Sequence, residues 1–160
     1  MKYMTANEVL ENVRKGIEEL ESIKGVSPSK IPEYDPERYC RISWQNNRYA
    51  FRIRAVCKEF EIFDWWNETL SVNQLKQMET FLKQAIGLGF TGYACFKVGA
   101  SGCTNGMWVH KKESTNGYSP DGDFIYHSFV SNENVFALDI GGKQTYGLNL
   151  KQVKEILKSA

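Results

Sequence analysis

The sequence predicts an α+β domain in which a mostly antiparallel sheet of about six to eight strands is packed by about three helices. Apolar residues recur at helical spacing after residues 5, 71 and 149. Short alternating segments, separated by turn signals, fill most of the remaining chain. Strands that cluster between helices, rather than alternate with them, are typical of antiparallel sheets. The chain also lacks the phosphate-binding loop and glycine fingerprint of a βαβ nucleotide-binding unit.

The first predicted element is an N-terminal helix over residues 1–24. Thr5 and Glu8 have the spacing of a capping box, and an apolar stripe follows at helical intervals. Residues 25–38 contain three of the four prolines, which disfavour both helix and internal strand. We interpret this segment as a linker that lays the helix beside the sheet in residues 39–160.

Residues 39–64 have the pattern of a β-meander with strands at 39–45, 48–56 and 58–63. A second helix begins at Ser71, where Gln74 has capping-box spacing, and it ends near Gly87. Five further strands are predicted, with a tight hairpin at Gly141 and Gly142 before the last one. Asn149 is the predicted cap of a final helix. The later strands are 90–98, 107–112, 124–130, 135–140 and 144–148.

Composition and charge limit the classes of function. The chain has 160 residues, of which 42% are apolar and 24% charged, so we expect one globular domain over residues 1–160. Its 20 basic and 19 acidic side chains give a net charge of +1, which provides no global field for nucleic acid or anionic lipid. No apolar run approaches the roughly 20 residues of a membrane span. The N-terminus lacks an apolar signal region, and we therefore expect a cytoplasmic protein with reduced cysteines.

Arginines are concentrated in the predicted meander, and we regard them as a candidate partner-binding patch. At the two-residue period of a strand, Arg48, Arg52 and Arg54 should project from one face. They could instead pair with Glu59 and Glu61 on the next strand, or hold a single-stranded nucleic acid together with nearby aromatic residues. The cluster comprises Arg38, Arg41, Arg48, Arg52 and Arg54.

Two adjacent tryptophans, Trp65 and Trp66, precede the second helix. If the segment is extended, the two side chains cannot both face the core. They form either a buried plug over the sheet or an exposed anchor for a partner. We predict a partner-binding surface that combines them with Arg41, Arg48, Arg52 and Arg54.

Both histidines and half of the cysteines lie within 33 residues of one another. Thiolate and imidazole are the ligands of structural zinc sites, and a hairpin through residues 113–122 could bring His110 and His127 together. The spacing matches no usual zinc pattern, and separate core or surface roles are the alternative. The candidate metal-binding set is Cys95, Cys103, His110 and His127.

Cys103 could also act as a thiol nucleophile in an exposed loop. Such chemistry needs a histidine base and an orienting carboxylate, which His110 or His127 and Asp121 or Asp123 could supply. The surrounding residues match no catalytic signature, so we assign no catalytic residue.

Two segments resemble those of small standalone proteins encoded by phages and mobile elements of Gram-positive bacteria. They are residues 61–72 (EIFDWWNETLSV) and 101–129 (SGCTNGMWVHKKESTNGYSPDGDFIYHSF). This population includes anti-CRISPR inhibitors, so the resemblance implies a binder rather than a metabolic enzyme.

We therefore expect a non-enzymatic binding protein that sterically blocks a nucleic-acid-processing effector of host defence, such as a Cas9-type nuclease. The alternatives are a single-stranded nucleic-acid-binding domain and a cysteine-dependent hydrolase or transferase that uses Cys103. We expect no cofactor, and the alternative is a structural zinc ion held by the candidate metal-binding set.

Overall fold

Three helices and nine strands make up the part of the chain that the computed structural model describes. That part comprises residues 3–27, 30, 37–42, 48–57, 60–62, 69–98, 105–113, 122–129 and 134–159. The helices are α1 (Ala6–Ser22), α2 (Val72–Gly87) and α3 (Leu150–Ser159). The strands are β1 (Tyr39–Ile42), β2 (Arg48–Arg52), β3 (Phe60–Ile62), β4 (Thr69–Leu70), β5 (Ala94–Val98), β6 (Gly106–His110), β7 (Phe124–Ser128), β8 (Phe136–Ile140) and β9 (Lys143–Leu148).

Six of the strands form one sheet in the order β3-β5-β6-β7-β8-β9. All of its neighbours are antiparallel except β3 and β5. Gly141 and Gly142 both have positive φ values and connect β8 to β9, as a two-residue hairpin requires. The predicted α+β class with mostly antiparallel strands is confirmed.

The remaining strands form a separate sheet in the order β1-β2-β4, so the predicted meander is wrong in its third strand. β2 stops at Arg52, and a 3-10 turn follows over Ile53–Ala55. The turn buries Val56, which would lie on the arginine face of a continued strand. The chain then leaves this sheet, and β3 pairs in parallel with β5.

The predicted caps of all three helices are confirmed, although α1 begins at Ala6 and not at the start of the range 1–24. Thr5 and Glu8 form a complete capping box at α1, and Ser71 and Gln74 form one at α2. At α3 the Asn149 side chain accepts from the Gln152 amide at 2.9 Å, while the Gln152 side chain accepts from the Asn149 amide. These local hydrogen bonds satisfy amides that the first helical turn leaves unpaired.

The N-terminal segment is bonded to the six-stranded sheet before α1 begins. The Ala94 amide donates to the Met4 carbonyl, and the Ala6 amide donates to the Gly92 carbonyl, both at 2.9 Å. Because β6 occupies the other side of β5, this segment and β3 share one edge of that strand. The start of α1 is thereby fixed beside the sheet.

The core lies between the helices and one face of the six-stranded sheet. Phe96, Met107, Val109 and Ile125 alternate on that face and are fully buried. Helix α1 packs against α2, and α2 and α3 pack along the sheet. Among the described residues, no helix is both long and apolar enough to cross a membrane.

Candidate binding surface

The arginines of the small sheet do not form the continuous stripe that the alternation predicts. Arg41 and Arg48 lie at paired positions of β1 and β2, opposite Tyr49 and Ile42 respectively. Arg54 lies in the 3-10 turn beyond the strand, where it pairs with Glu37 at 4.0 Å. The prediction that Arg54 shares a strand face with Arg48 and Arg52 is therefore wrong.

The strand expected to pair with these arginines belongs to the other sheet and is not a neighbour of β2. Arg52 is half-buried at the end of β2, and Ala50 on the same face is completely buried. Glu61 lies on β3 in the other sheet, while Glu59 falls outside the described residues. Trp65 and Trp66, which complete the predicted partner-binding surface, also fall outside them.

Arg38 has a structural role at the start of the small sheet. Its guanidinium binds Glu19 of α1 through two hydrogen bonds, at 3.1 and 2.7 Å, and lies 5.1 Å from the centroid of the Phe51 ring. The Tyr39 hydroxyl donates to the same carboxylate. Burial and this hydrogen bond raise the pKa of Tyr39 to about 12.

The two histidines lie on neighbouring strands, as predicted, but on opposite faces of the sheet. His127 is paired with Met107, three positions before His110 on β6, and this offset is odd. Side chains alternate between faces, which places His127 on the core face and His110 on the other face. The prediction that this hairpin brings the two imidazoles together is therefore wrong, and the pair cannot ligate one zinc ion.

His127 is enclosed by aromatic rings. Its ring centroid lies 4.8 Å from that of Phe136, and 5.1 Å from those of Phe81 and Phe129. Its buried Nδ1 has no hydrogen-bond partner in the part of the chain that the structure describes. Desolvation lowers the pKa of His127 to about 4, so the imidazole is neutral at physiological pH.

The cysteines that the structure describes form no site for metal binding or nucleophilic chemistry. Cys57 and Cys95 are buried thiols that donate to the backbone carbonyls of Ala94 and Phe96. Cys103 and Asp121 lie outside the described residues. Within the described ranges, no group of three or more His, Cys, Asp or Glu side chains could hold a metal ion. A zinc site that uses Cys103 and the cysteine-dependent activity both stay predictions.

The face of the six-stranded sheet opposite the core carries an aromatic groove of about 370 Å³. None of the three helices covers it, because they pack on the other face or on one another. Trp108, Phe124 and Tyr126 are half-buried in it, and His110 is buried beside Phe124, with a ring separation of 5.4 Å. The lining includes Lys97, Trp108, Phe124, Tyr126, Gln144 and Tyr146.

One end of this groove is shaped by Gly106. A Cβ atom at Gly106 would lie 2.0 Å from the Tyr126 hydroxyl oxygen and 2.5 Å from Cζ of the same ring. The missing side chain therefore lets Tyr126 lie across β6. On the adjacent strand, the Lys97 ammonium lies 5.9 Å from the centroid of the Tyr126 ring, at the outer limit of a cation–π contact.

The opposite side of the groove is formed by β9. Tyr146 is 70% exposed and is the most exposed large apolar side chain among the described residues. Its hydroxyl donates to the Gln144 amide oxygen, and the Gln144 amide nitrogen donates to Asp139 at 3.2 Å. This chain of hydrogen bonds holds Tyr146 at the rim of the groove. It also engages one carboxylate oxygen of Asp139.

A second cleft, of about 530 Å³, lies between α1 and the beginning of α2. Its lining includes Tyr49, Lys24 and Lys76. The Lys76 ammonium pairs with the Glu21 carboxylate across the cleft at 2.9 Å, so these two charges neutralise each other. The aromatic groove is the stronger candidate because several half-exposed aromatic side chains line it together.

Sequence reasoning missed this groove, although it identified most of the strands that form it. The signal is the alternation of Gly106, Trp108 and His110 in one strand and of Phe124 and Tyr126 in the next. Alternation alone does not say which face the helices cover, because that depends on the packing of distant elements.

No protein-family model, curated protein or solved structure matches this chain.

Proposed function

We propose that the chain is a non-enzymatic binding protein that docks on a protein partner through the open face of its six-stranded sheet. The observation that carries the proposal is the aromatic groove between Lys97 and Tyr146, which none of the three helices covers. Soluble monomers rarely leave contiguous apolar surface exposed without a use for it. Half-exposed aromatic side chains on a rigid sheet are also typical anchors of protein interfaces.

The resemblance to phage and mobile-element proteins suggests the kind of partner. It favours a nucleic-acid-processing effector of host defence, such as a Cas9-type nuclease. The protein would inhibit it by steric block, by covering a nucleic-acid channel or holding a mobile domain. A rigid sheet face suits this role because little conformational entropy is lost when it docks.

The groove favours a protein partner over the alternative of a single-stranded nucleic acid. Among the described residues that line it, Lys97 is the one lysine or arginine. Single-strand binding relies on several cations that follow the phosphate backbone, in addition to aromatic stacking. The net charge of +1 adds no wider attraction.

Plasmid protection in a bacterium tests this function. The host expresses a Cas9-type nuclease with a guide that matches a resident plasmid, and the protein is co-expressed. We expect the wild-type chain to preserve the plasmid and the double variant Trp108→Ala/Tyr146→Ala to lose this effect.

Lys83→Ala is the matched control, because Lys83 is exposed on α2, which packs against the core face. It should protect as well as the wild type. The proposal is contradicted if the wild-type chain gives no protection, or if the double variant is folded and protects fully.

A further inference from the structure

We infer that the partner adds a short extended segment to the outer edge of β9, in antiparallel pairing, and places alternate apolar side chains beside the aromatic groove. This inference deepens the proposed function and rests on it. It concerns how the partner is bound, which can be tested with a peptide in place of the partner.

β9 is the last strand of the six-stranded sheet, so one of its edges has no neighbour among the described strands. Lys143, Gln144 and Tyr146 are exposed along this strand. β3, at the opposite end of the sheet, has three residues, whereas β9 has six. The sheet therefore presents its longer edge at β9, next to the groove.

The hairpin determines which backbone groups of β9 point outward. The residues that flank a two-residue turn form a hydrogen-bonded pair, and bonded pairs then alternate with non-bonded ones. Lys143 flanks the turn, so the backbone groups of Lys143 and Thr145 point toward β8. The N–H and C=O groups of Gln144 and Tyr146 point away from β8, while their side chains line the groove.

The spacing of these outward groups specifies an extended segment as the occupant. Alternate residues of a strand are about 7 Å apart, and a second extended chain presents donors and acceptors at the same interval. In antiparallel pairing, the residues opposite Gln144 and Tyr146 direct their side chains to the groove face. An aromatic or β-branched residue makes the favourable cross-strand pair with Tyr146. The added segment should therefore carry apolar residues at alternate positions.

The shortness of this edge favours a partner segment over the β9 strand of a second copy. After Thr145 the register gains one residue, and Gly147 has a positive φ of 66°, so regular pairing ends there. Such bulges, and edge lysines such as Lys143, limit pairing between copies of a chain. Pairing over residues 144–146 alone buries far less surface than a stable dimer needs. A partner segment can add contacts in the groove, whereas Tyr146 is held at its own groove by Gln144.

An NMR titration of the ¹⁵N-labelled full chain tests the inference with a defined probe. The blocked pentapeptide Thr-Val-Thr-Phe-Thr is uncharged and has apolar residues at alternate positions. Its matched control carries N-methyl groups on the Val and Phe amides, which keeps the side chains and removes the backbone donors. We expect the parent peptide to shift the Gln144 and Tyr146 amide resonances and to slow their hydrogen exchange, with little change at Thr145. The N-methylated peptide should bind about tenfold more weakly.

A pair of variants tests the same hydrogen bonds from the side of the protein. Gln144→Pro removes one outward N–H, and Gln144→Ala is the matched control that loses the same side chain. We expect Gln144→Pro to bind the parent peptide about tenfold more weakly than Gln144→Ala, because a hydrogen bond is lost and the proline ring obstructs the edge. If Gln144→Pro does not fold, the comparison of the two peptides decides alone.

The inference is overturned if the N-methylated peptide binds as tightly as its parent, or if folded Gln144→Pro binds as tightly as Gln144→Ala. It is also overturned if the Gln144 and Tyr146 amides do not respond to the parent peptide. Sedimentation velocity tests the second copy as occupant. A wild-type dimer that dissociates in Gln144→Pro would assign the edge to self-association and remove the inference.

Plasmid protection separates this inference from the function on which it rests. Protection that depends on Trp108 and Tyr146, with no peptide addition at β9, removes the inference alone. Peptide addition at β9 without protection removes the proposed inhibitor function alone.

Discussion

His110 and His127 lie on adjacent strands of one sheet, yet their side chains are on opposite faces of it. One imidazole belongs to the open aromatic groove, and the other is enclosed by phenylalanine rings in the core. An odd offset of three positions along β6 produces this separation. The two groups therefore experience different environments, and of the two only His127 has a buried ring nitrogen without a hydrogen-bond partner among the described residues.

The burial of His127 predicts a loss of stability in mild acid. The pKa of His127 is about 4 in the folded chain and about 6.5 when unfolded, so the unfolded chain binds the proton more tightly. This stability is fully present above about pH 6.5 and is lost as the pH falls toward 4. Allowing for solvent screening, we expect about 2 kcal/mol to be lost, measured by urea unfolding at several pH values. In His127→Leu the loss over this interval should be smaller, and an identical pH dependence in the two proteins would contradict the assignment.

Close packing at Gly16 predicts an unfavourable response to a single methyl group. A Cβ atom there would lie 3.0 Å from Phe51 Cε2 and 3.3 Å from Leu75 Cδ1, and both side chains are fully buried. We expect Gly16→Ala to lower the free energy of unfolding by about 1–2 kcal/mol despite the better helix propensity of alanine. Gly87→Ala is the helical control, because nothing lies within 4 Å of its Cβ position. Equal stabilisation by both changes in urea unfolding would rule out the steric explanation.

The Tyr126 ring over Gly106 predicts strong coupling between these two positions. Gly106→Ala should destabilise the fold by about 1–3 kcal/mol, because the added methyl overlaps the phenol. Tyr126→Ala removes the overlapping atoms, so the double variant should lose less than the sum of the two single losses. A double-mutant cycle by thermal or urea unfolding measures the difference. Additive losses would mean that the clash with the backbone carbonyl of His127, at 2.9 Å, dominates.

The contact between Tyr39 and Glu19 predicts an altered alkaline titration. Removal of the carboxylate charge in Glu19→Gln should lower the pKa of Tyr39 from about 12, but the pKa should stay above 10 because burial is the larger cause. The stability that depends on the protonated phenol is present below pH 10 and is lost as the pH rises through 12. The difference in tyrosinate absorbance between each protein and its Tyr39→Phe variant isolates this one titration. An unchanged Tyr39 titration in Glu19→Gln would show that the carboxylate contributes nothing.

Local signals predicted the helices and many of the turns. Thr5 with Glu8, and Ser71 with Gln74, are capping boxes whose geometry involves only residues three apart. The Gly141-Gly142 hairpin likewise depends on two adjacent residues that adopt positive φ values. Such features depend only on residues close together in the chain, so they can be recognised in a single sequence.

Non-local pairing could not be predicted in the same way. The strand after β2 looks like its hairpin partner, but it pairs with β5, which lies more than 30 residues further along the chain. The sequence shows the alternation within each strand that carries Trp108 or Tyr126. It does not show which face of the sheet the helices leave uncovered. The arginine pattern was misleading because Ile53–Ala55 turns away from the strand to bury Val56.

The backbone hydrogen bonds that Met4 and Ala6 form with residues 92–94 impose an order on assembly during synthesis. Helix α1 leaves the ribosome while the strand that anchors its first turn has yet to be translated. More than half of the 160 residues must be made before this long-range closure can form. The amphipathic α1 helix therefore stays without its sheet partner for much of translation, and this interval is when a chaperone has the greatest opportunity to bind it.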